Sequence, residues 1–410
     1  MAKKTIWLIN QYSSTPKTGM GGRHYYFAHE LSKQGYNVYL IAASYTHLLR
    51  NPPCVKQSHE VHSLEGFNIV WVKLPRYPNA HSKRRVFNWF AFSWRLRGLK
   101  SVIPDSPDVI LYSSPSLVGF LGAKYLASYY RARLAFEVRD IWPLTLVELG
   151  GYSRKHPFIR FLQWVEDKAY RKADVVVSNL KNSVSHMVAR GMSPEKFSWV
   201  ANGFSIKEVS KKKELNKSAC EQFPDGEFLV GYAGTFGVAN ALDSLVLAAE
   251  NLKEYFDIRI ILVGSGKDRN NLEGLVQSKG LTNVHFVDPV PKPQVQSVLE
   301  RFDVCFIGLT GDPLFRFGVS PNKLFDYLYS AKPIIYAIDS GAYKPISDSK
   351  SGIQIPAENP KAIADAILKL YRMPESERAT LGDNGRRYAL ENHEYAKLAK
   401  NLARALFGDK

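Results

Sequence analysis

Short runs of apolar residues alternate along the chain with stretches in which apolar residues recur at helical spacing. Because strands joined by helices pair side by side in one direction, this alternation predicts an α/β protein with parallel sheets. The predicted strands form two sets, separated by a polar and charged stretch at 210–217 that is typical of a linker. They lie at 5–9, 37–42, 68–72, 109–113, 133–138, 174–178 and 197–200, and then at 228–233, 258–263, 284–287, 303–307, 334–337 and 353–355.

The two sets predict two Rossmann-like domains that face each other across a cleft. We expect residues 1–205 to form the first domain, residues 206–385 the second, and residues 386–410 a helix that packs back on the first. Ligands of such sheets bind beyond the carboxyl ends of the strands. The loops that follow the strands are therefore where functional residues are expected.

Length and composition fit this architecture and narrow the class of protein. The chain has 410 residues, of which 45% are hydrophobic, which is enough for two domains with separate cores. It contains no run of about 18 apolar residues, so no membrane-spanning helix is expected. The first apolar run, 5–9, is too short for a signal peptide. Three scattered cysteines show neither metal-ligand nor disulfide spacing, which favours a reduced cytosolic compartment.

The formal net charge of +17 indicates an anionic partner, such as nucleic acid, acidic lipid or a phosphorylated substrate. The sequence shows no zinc finger, RNA-binding motif or repeat, so nucleic acid is not expected. Acidic lipid and phosphorylated compounds remain as the partner classes.

The stretch 317–334 carries the most specific local signal. Ser320 followed by Pro321 is typical of a helix start, with the serine as the side-chain cap. Leu324 and Leu328 then keep helical spacing on one face, and an apolar strand follows. An ordinary capped helix packed on a sheet explains this pattern as well.

Lys323 lies in the first turn of this helix, where the helix dipole disfavours a cation unless an anion is bound there. The free amides of the first turn, at Ser320 and Asn322, together with Lys323 predict a phosphate site. Asp326, one turn further along the same face, could accept hydrogen bonds from the hydroxyls of a ribose.

A glycine-rich loop follows the predicted strand 228–233. Its Gly234, Thr235 and Gly237 are candidates for wrapping a diphosphate, because glycine lets a ligand approach the backbone closely. Asn240 precedes a helix and is explained as its cap, so it needs no catalytic role.

Two further glycine loops follow strands. Gly264 and Gly266 lie after the strand 258–263, where they suit the approach of a base or ribose. The loop 18–24 places Gly22 before a helix, whose amino terminus favours an anion. Its glycine spacing departs from a dinucleotide fingerprint, and a purely structural turn is an equal explanation.

Charged residues also end the predicted strand 133–138. Arg139 and Asp140 follow an otherwise apolar run, where charges are costly unless they pair or face a cleft. Together they could hold a phosphate or a sugar hydroxyl. A salt bridge between the domains is the alternative.

The segment 83–100 combines six Lys or Arg residues and five Phe or Trp residues with no acidic residue. A helix of this composition suits an anionic membrane surface. A core-facing amphipathic helix with a solvated basic face is the alternative. The residues expected to bind the membrane are Arg84, Arg85, Trp89, Phe90, Trp94 and Arg95.

Taken in order, these loops resemble those of retaining glycosyltransferases of the GT-B fold, family 4. The resemblance covers nearly the whole chain and is strongest to the branch that builds bacterial surface polysaccharides. The motifs that carry it are the Gly-Gly loop at 21–22, Arg-Asp-Ile-Trp-Pro at 139–143, Val-Ala-Asn-Gly-Phe at 200–204, Gly-Thr-Phe-Gly at 234–237, Gly-Ser-Gly at 264–266 and the helix that ends in Ala-Lys-Pro at 331–333.

The resemblance implies a hexosyltransferase that uses a nucleotide-sugar donor, expected to be UDP-linked, and retains the anomeric configuration. It implies a polyprenyl-diphosphate-linked sugar as acceptor, in O-antigen or capsule synthesis. The enzyme would then be peripheral on the inner face of the cell membrane. No Asp-x-Asp sequence occurs, so neither a metal nor another cofactor is expected.

The chain departs from the family pattern at several positions. The family's paired acids match Gly318 and Asp326, so the acid that usually contacts the donor sugar is absent. The basic pair on the pyrophosphate matches Thr235 and Asn240, both uncharged, which leaves Lys323 and Arg316 as substitutes. The histidine of the first domain matches Arg139, with Asp140 beside it. The resemblance therefore implies Arg139, Asp140 and Lys323 as catalytic residues.

Two other functions fit the same features. A nucleotide-sugar epimerase can share the two-domain fold but needs no acceptor and no basic aromatic segment. A non-enzymatic protein that binds anionic lipid would show no turnover.

Overall fold

The computed structural model describes residues 3–79, 82–224 and 227–408. The chain divides into two compact units. The first unit consists of Met1–Ala201 with Tyr395–Lys410, and the second of Asn202–Glu394. The corresponding limits expected from the sequence are 205 and 385.

The first unit is built on an eight-stranded sheet with the order β3-β4-β2-β1-β5-β6-β7-β8. All neighbouring strands are parallel except β3 and β4, which are antiparallel. The edge strand β3 was not expected, because its sequence His-Glu-Val-His-Ser is polar and mostly exposed and so lacks an apolar run. The strands are β1 (Thr5–Ile9), β2 (Asn37–Ala43), β3 (His59–Ser63), β4 (Asn68–Val72), β5 (Val109–Ser113), β6 (Arg133–Val138), β7 (Val175–Ser178) and β8 (Phe197–Trp199).

Helices cover this sheet, and the last helix of the chain is among them. Helix α16 packs on α1, where the rings of Tyr26 and Tyr395 stack with their centroids 4.7 Å apart. Leu398 and Leu402 share one apolar core with Leu8. The helices are α1 (Arg23–Lys33), α2 (Lys83–Arg95), α3 (Gly119–Tyr130), α4 (Leu144–Glu148), α5 (Pro157–Lys172), α6 (Val184–Ala189) and α16 (Tyr395–Phe407), with a 3₁₀ turn at Leu96–Ser101.

The second unit contains a parallel six-stranded sheet with the order β11-β10-β9-β12-β13-β14. Apolar cores lie on both of its faces, as expected for strands that are buried on both sides. The strands are β9 (Phe228–Ala233), β10 (Ile258–Val263), β11 (Val284–Val287), β12 (Val304–Gly308), β13 (Ile334–Ala337) and β14 (Gly352–Ile355). The helices are α7 (Ile206–Val209), α8 (Lys217–Cys220), α9 (Leu242–Glu250), α10 (Arg269–Ser278), α11 (Val295–Glu300), α12 (Asn322–Tyr329), α13 (Pro345–Ser349), α14 (Pro360–Tyr371) and α15 (Glu375–Asn392).

The predicted α/β architecture with parallel-rich sheets is confirmed. In each unit the carboxyl ends of the parallel strands meet at one edge, here called the carboxyl edge, and the loops singled out in the sequence follow those ends. Within the described residues, no helix has the length and apolar character needed to cross a membrane.

Candidate functional site

A desolvated lysine lies at the carboxyl edge of the second unit. The Nζ of Lys323, in the first turn of α12, donates hydrogen bonds to the hydroxyl of Tyr232 at 2.6 Å and to Oδ1 of Asn240 at 2.7 Å. Both partners are uncharged, and no carboxylate among the described residues pairs with this ammonium. Burial lowers the pKa of Lys323 to about 8, because the charged form loses water without gaining an anion.

Asn240 holds this lysine, and the prediction that it caps a helix is wrong. Helix α9 begins at Leu242 after Ala241, which has a left-handed φ of 46°, and no described side chain caps it. The amide of Asn240 instead turns back into its own loop, donating to the backbone oxygens of Thr235 at 3.1 Å and Gly237 at 3.3 Å. These bonds orient Oδ1 toward Lys323.

The start of α12 also differs from the prediction. Ser320 is not the cap, because the helix begins at Asn322 after Pro321, and among the described residues no side chain accepts from its first amides. Ser320 is engaged elsewhere, since its carbonyl accepts from the Asn202 amide at 2.9 Å and its hydroxyl accepts from the Asn202 backbone at 3.3 Å. The first turn of α12 therefore offers uncapped amides next to a lysine ammonium, as an anion site requires.

The glycine loops after β9 and β10 pack against each other beside Lys323. A Cβ atom on Gly264, whose φ is +145°, would lie 1.9 Å from the carbonyl oxygen of Gly234. A Cβ on Gly266 would lie 2.0 Å from the backbone oxygen of Phe236. Loop packing alone thus requires glycine at 264 and 266. A Cβ on Gly234 would lie 3.4 Å from the Nζ of Lys323, so the structure brings this loop and the lysine together.

Asp326 faces a cation that the sequence did not indicate. Its two carboxylate oxygens accept from the Nζ of Lys292 at 2.9 and 2.7 Å. The Asp326 side chain is 13% exposed and that of Lys292 is 60% exposed, so the pair lies at the surface of the unit. The carboxylate retains capacity to accept from a ligand hydroxyl, since a carboxylate offers about four lone-pair sites.

The remaining residues assigned to the donor lie in different surroundings. Arg316 is exposed and places its guanidinium 4.4 Å from the ring centroid of Phe317, with a hydrogen bond to the backbone of Pro313. Thr235, in the loop after β9, and Asn322, the first residue of α12, are exposed. Gly22 begins α1 and belongs to the first unit, whereas all the other predicted donor residues belong to the second.

The carboxyl edge of the first unit contains a buried ionic cluster that the sequence analysis missed. Glu137, at the end of β6, accepts from Nε of Arg23 at 2.8 Å and is 2.6 Å from Nε2 of His24. Arg23 also donates to the backbone oxygens of Val200 and Ala201. A signal was present, since Arg-His directly follows the Gly-Gly turn at the start of α1.

In this cluster the charged and hydrogen-bonded partners lower the pKa of Glu137 more than burial raises it. Burial alone would raise the pKa of Glu137, but Arg23 and then His24 hold it well below its usual value. Burial lowers the pKa of His24, against the opposing effect of Glu137, so its ring is neutral and donates through Nε2. Glu137 is therefore an ionised, fully paired carboxylate in the interior.

Arg139 and Asp140 directly follow this cluster. The backbone N–H of Arg139 donates to Oγ of Ser114 at 2.9 Å, and its buried Nε has no hydrogen-bond partner in the described part of the chain. Asp140 is exposed, although the surrounding protein desolvates its carboxyl enough to raise its pKa, against the lowering effect of Arg139. Neither side chain forms an ion pair with another described residue, so no salt bridge occupies them.

Helix α2 contains the predicted membrane-binding residues, and one of them is misassigned. Trp89 is only 3% exposed and donates from Nε1 to the hydroxyl of Tyr12 at 2.7 Å, so it belongs to the core and cannot insert into lipid. Phe90 and Trp94 are 43% and 69% exposed, and Phe87, which the sequence analysis did not select, is 65% exposed.

The basic residues of α2 also divide into two groups. Arg84 is exposed to solvent. Arg85 donates from Nε to the hydroxyl of Tyr12 at 3.2 Å, and Arg95 donates to the backbone oxygen of Lys73. Two of the three predicted cations are therefore held by the protein surface itself.

In residues 3–79, 82–224 and 227–408, no group of three or more His, Cys, Asp or Glu side chains is arranged to hold a metal ion. Whether the reaction needs a metal depends on its chemistry, so the expectation of a metal-independent reaction stays a prediction.

Two protein-family models match the chain, one in each unit. A glycosyl transferase 4-like domain matches residues 18–203, and the glycosyl transferases group 1 family matches residues 227–373. A putative colanic acid biosynthesis glycosyl transferase, WcaI of Escherichia coli (strain K12), is 23% identical over 230 residues. That match spans about half of each protein, namely 54% of this chain and 56% of the relative.

Solved structures share the fold over the whole chain. Sucrose-phosphate synthase from Thermosynechococcus elongatus is 17% identical with a TM-score of 0.70, and the likeness covers 100% of both chains. HepE of Anabaena, in complex with UDP, is 14% identical with a TM-score of 0.66 and covers 99% of this chain and 100% of its own. At such identities the likeness establishes the architecture alone, which is that of GT-B glycosyltransferases.

Proposed function

We propose that this chain, whose fold is that of GT-B glycosyltransferases and which matches glycosyltransferase family models in both units, transfers a sugar from a UDP-linked donor to a lipid-linked acceptor. The product would be an intermediate of a surface polysaccharide such as O-antigen or capsule. The observation that carries the proposal is Lys323, a desolvated ammonium that is bonded to uncharged groups beside uncapped helix amides.

The donor diphosphate is assigned to this lysine. A buried cation without a carboxylate is unfavourable by itself and becomes favourable when an anion is bound. The amides at the start of α12 and the backbone near Gly234 add donors on the same side. Asp326, held by Lys292, is assigned to the ribose hydroxyls. UDP as the nucleotide is supported by HepE, a structural neighbour solved in complex with UDP.

Transfer requires stabilisation of negative charge on the departing diphosphate as the anomeric carbon gains positive charge. We assign Lys323 to neutralise that charge, and with a pKa of about 8 it still carries its proton at neutral pH. We assign a retaining reaction in which the leaving phosphate accepts the proton of the acceptor hydroxyl. This step needs no separate base and no metal. Arg139 and Asp140, unpaired at the carboxyl edge of the first unit, are assigned to the acceptor sugar.

The acceptor is assigned to a membrane surface on the cytoplasmic side. Helix α2 exposes Phe90 and Trp94 together with Arg84 and no acidic residue, a composition suited to anionic lipid. The name of the Escherichia coli relative, which refers to colanic acid biosynthesis, supports a polysaccharide product.

A donor and acceptor panel tests the function. The protein is incubated with UDP-, GDP-, ADP- and dTDP-linked sugars, with and without polyprenyl-diphosphate sugar, and nucleotide release and glycolipid are measured. We expect UDP release that depends on the acceptor, with the anomeric configuration of the donor retained in the product by NMR. Sugar isomerisation without acceptor would indicate an epimerase instead. The absence of turnover with every pair would indicate a lipid-binding protein.

A charge-removal pair tests the membrane assignment. The double variant Arg84→Gln with Arg97→Gln removes two exposed cations, each contributing about 1 kcal/mol near an anionic surface. We expect weaker co-sedimentation with phosphatidylglycerol vesicles, most clearly at low salt. The control is Arg171→Gln with Lys172→Gln, which removes two exposed cations at the end of α5. Equal binding by both double variants would overturn the assignment of α2.

A further inference from the structure

An open apolar groove lies between helices α2 and α3 of the first unit. Helix α2 follows β4 and α3 follows β5, so both helices begin near the carboxyl edge of the sheet and run back in the same direction. The groove between them has a volume of about 530 Å³, within the range of about 300–1,000 Å³ that is usual for ligand pockets. Its apolar lining consists of Phe87, Phe90, Ala91, Trp94, Val118 and Leu121.

The groove is bordered by aromatic stripes that stay open to solvent. On α2, Phe87, Phe90 and Trp94 recur at helical spacing and are 65%, 43% and 69% exposed. On α3, Tyr125 and Tyr129 continue the line of Leu121 and are 37% and 59% exposed. Large exposed apolar surfaces of this kind mark sites of interaction with a partner or a lipid.

The border of the groove is cationic. The guanidinium of Arg97 lies 4.1 Å from the ring centroid of Trp94 and 5.0 Å from that of Tyr125. The Nζ of Lys100 lies 4.3 Å from the ring centroid of Tyr129 and donates to the hydroxyl of Tyr125 at 3.0 Å. Helices α2 and α3 and the 3₁₀ turn that follows α2 contain no acidic residue.

The other end of the groove leads toward the carboxyl edge. The first turn of α2 contributes Lys83, Arg84 and Arg85, and Arg85 bonds to Tyr12, which follows β1. An anionic head group at this end would therefore lie on the side of the unit where the strands end. In shape and charge, an apolar groove with cations at both ends is complementary to one hydrocarbon chain that carries a diphosphate.

We propose that the groove between α2 and α3 binds a single isoprenoid chain of the acceptor, with its diphosphate toward the first turn of α2. This inference rests on the proposed function and goes beyond membrane attachment, because a concave site selects one chain whereas a flat surface contacts many lipids. The enzyme would then distinguish acceptors by chain length.

The turnover of a variant with a filled groove tests the proposal. Ala91→Trp places an indole among the lining residues. We expect kcat/KM for a long-chain polyprenyl-diphosphate acceptor, divided by that for a two-isoprene acceptor, to fall at least tenfold relative to the wild type. Vesicle co-sedimentation should keep its wild-type value. The control is Val188→Trp, which adds the same ring at an exposed position of α6. An unchanged ratio in a folded Ala91→Trp protein would overturn the proposal.

Photo-crosslinking of the wild-type protein tests the same site without turnover. A polyprenyl diphosphate with a diazirine on its chain should label peptides from 83–97 and 118–122, and unlabelled polyprenyl diphosphate should compete. Labelling elsewhere, or equal labelling by a diazirine phospholipid that polyprenyl diphosphate does not displace, would overturn the proposal. Correct labelling without glycolipid formation by any donor would leave the groove in place and reject the proposed transferase reaction instead.

Discussion

The carboxyl edges of the two sheets differ in whether a desolvated charge has a partner of opposite charge. In the first unit, Glu137 is fully buried and its charge is matched by Arg23, with the neutral ring of His24 as a second donor. In the second unit, Lys323 is desolvated beside Tyr232 and Asn240, neither of which carries a charge.

We infer from this difference that the Glu137 charge holds the fold, whereas the Lys323 charge serves a ligand. The paired cluster shifts the pKa of Glu137 in the direction that favours its ionised form, so the folded state is stabilised by it. The pKa of Lys323 is shifted against its ionised form, so the folded state alone gains nothing from that charge. A desolvated ammonium without a counter-charge is a candidate for binding an anion.

Removing the buried carboxylate should have the largest effect. Glu137→Gln keeps the shape but leaves Arg23 without its counter-charge, so we expect a loss of about 3–5 kcal/mol of unfolding free energy. Urea unfolding followed by circular dichroism measures it. The control Glu30→Gln breaks a surface pair with Lys33, whose side chain is 53% exposed, and should cost no more than about 1 kcal/mol. Equal shifts for both variants would show that the buried cluster has no special structural role.

Removing the buried ammonium should give the opposite result. Lys323→Met should keep or raise the unfolding free energy, because an uncompensated buried charge is replaced by an apolar chain. Nucleotide affinity should fall by about 1.5–3 kcal/mol, the scale of hydrogen bonds to a charged group. Calorimetric titration with UDP measures it, with the exposed Lys361→Met as control. A large loss of stability with unchanged affinity would place Lys323 among the structural charges.

Asp326 extends the comparison, because it is a paired charge in the proposed nucleotide site. Asp326→Ala should weaken UDP binding by about 1–3 kcal/mol if its carboxylate contacts the ribose. Lys292→Met removes the partner in the ion pair and should retain most of the affinity, since Lys292 is largely exposed. If both variants lose affinity equally, the ion pair and not the carboxylate is what the nucleotide site requires.

Asp140 tests whether an unpaired charge in the first unit also serves a ligand. Asp140→Asn should lower kcat about tenfold, as expected for the loss of one charged hydrogen bond. The melting temperature should change by only a few degrees, because the residue is exposed. A collapse of stability with a normal kcat per folded molecule would make Asp140 structural, like Glu137.

The sequence predicted the sheets better than the polar contacts. Apolar runs located nearly every strand, since strands buried on both faces need such runs, and the exception was the polar edge strand β3. The sequence shows that Ser320 and Asn240 are polar residues close to helix starts, and both were therefore interpreted as caps. Tertiary partners, Asn202 for the first and Lys323 for the second, redirect these side chains in the structure.

Tertiary contacts also explain the errors that involve residues far apart in the sequence. Trp89 is an aromatic residue like its exposed neighbours Phe90 and Trp94, and only packing against Tyr12 removes it from the surface. Glu137 and Arg23 are 114 positions apart, so no local pattern links them. Local pattern predicts which elements form, whereas the partner of a buried polar group depends on which elements the fold brings together.

The pH dependence of nucleotide binding decides whether the Lys323 ammonium binds the donor diphosphate. With a pKa of about 8 in the free enzyme, Lys323 loses its charge as the pH rises through that value. The terminal phosphate of UDP is already ionised there, since the second pKa of such a phosphate is about 6. We predict that UDP affinity of the wild type, measured by calorimetry from pH 6.5 to 9.5, is constant up to about pH 7.5 and then decreases. Lys323→Met should bind weakly with no such decrease, whereas equal affinity and the same pH profile in both proteins would contradict the account.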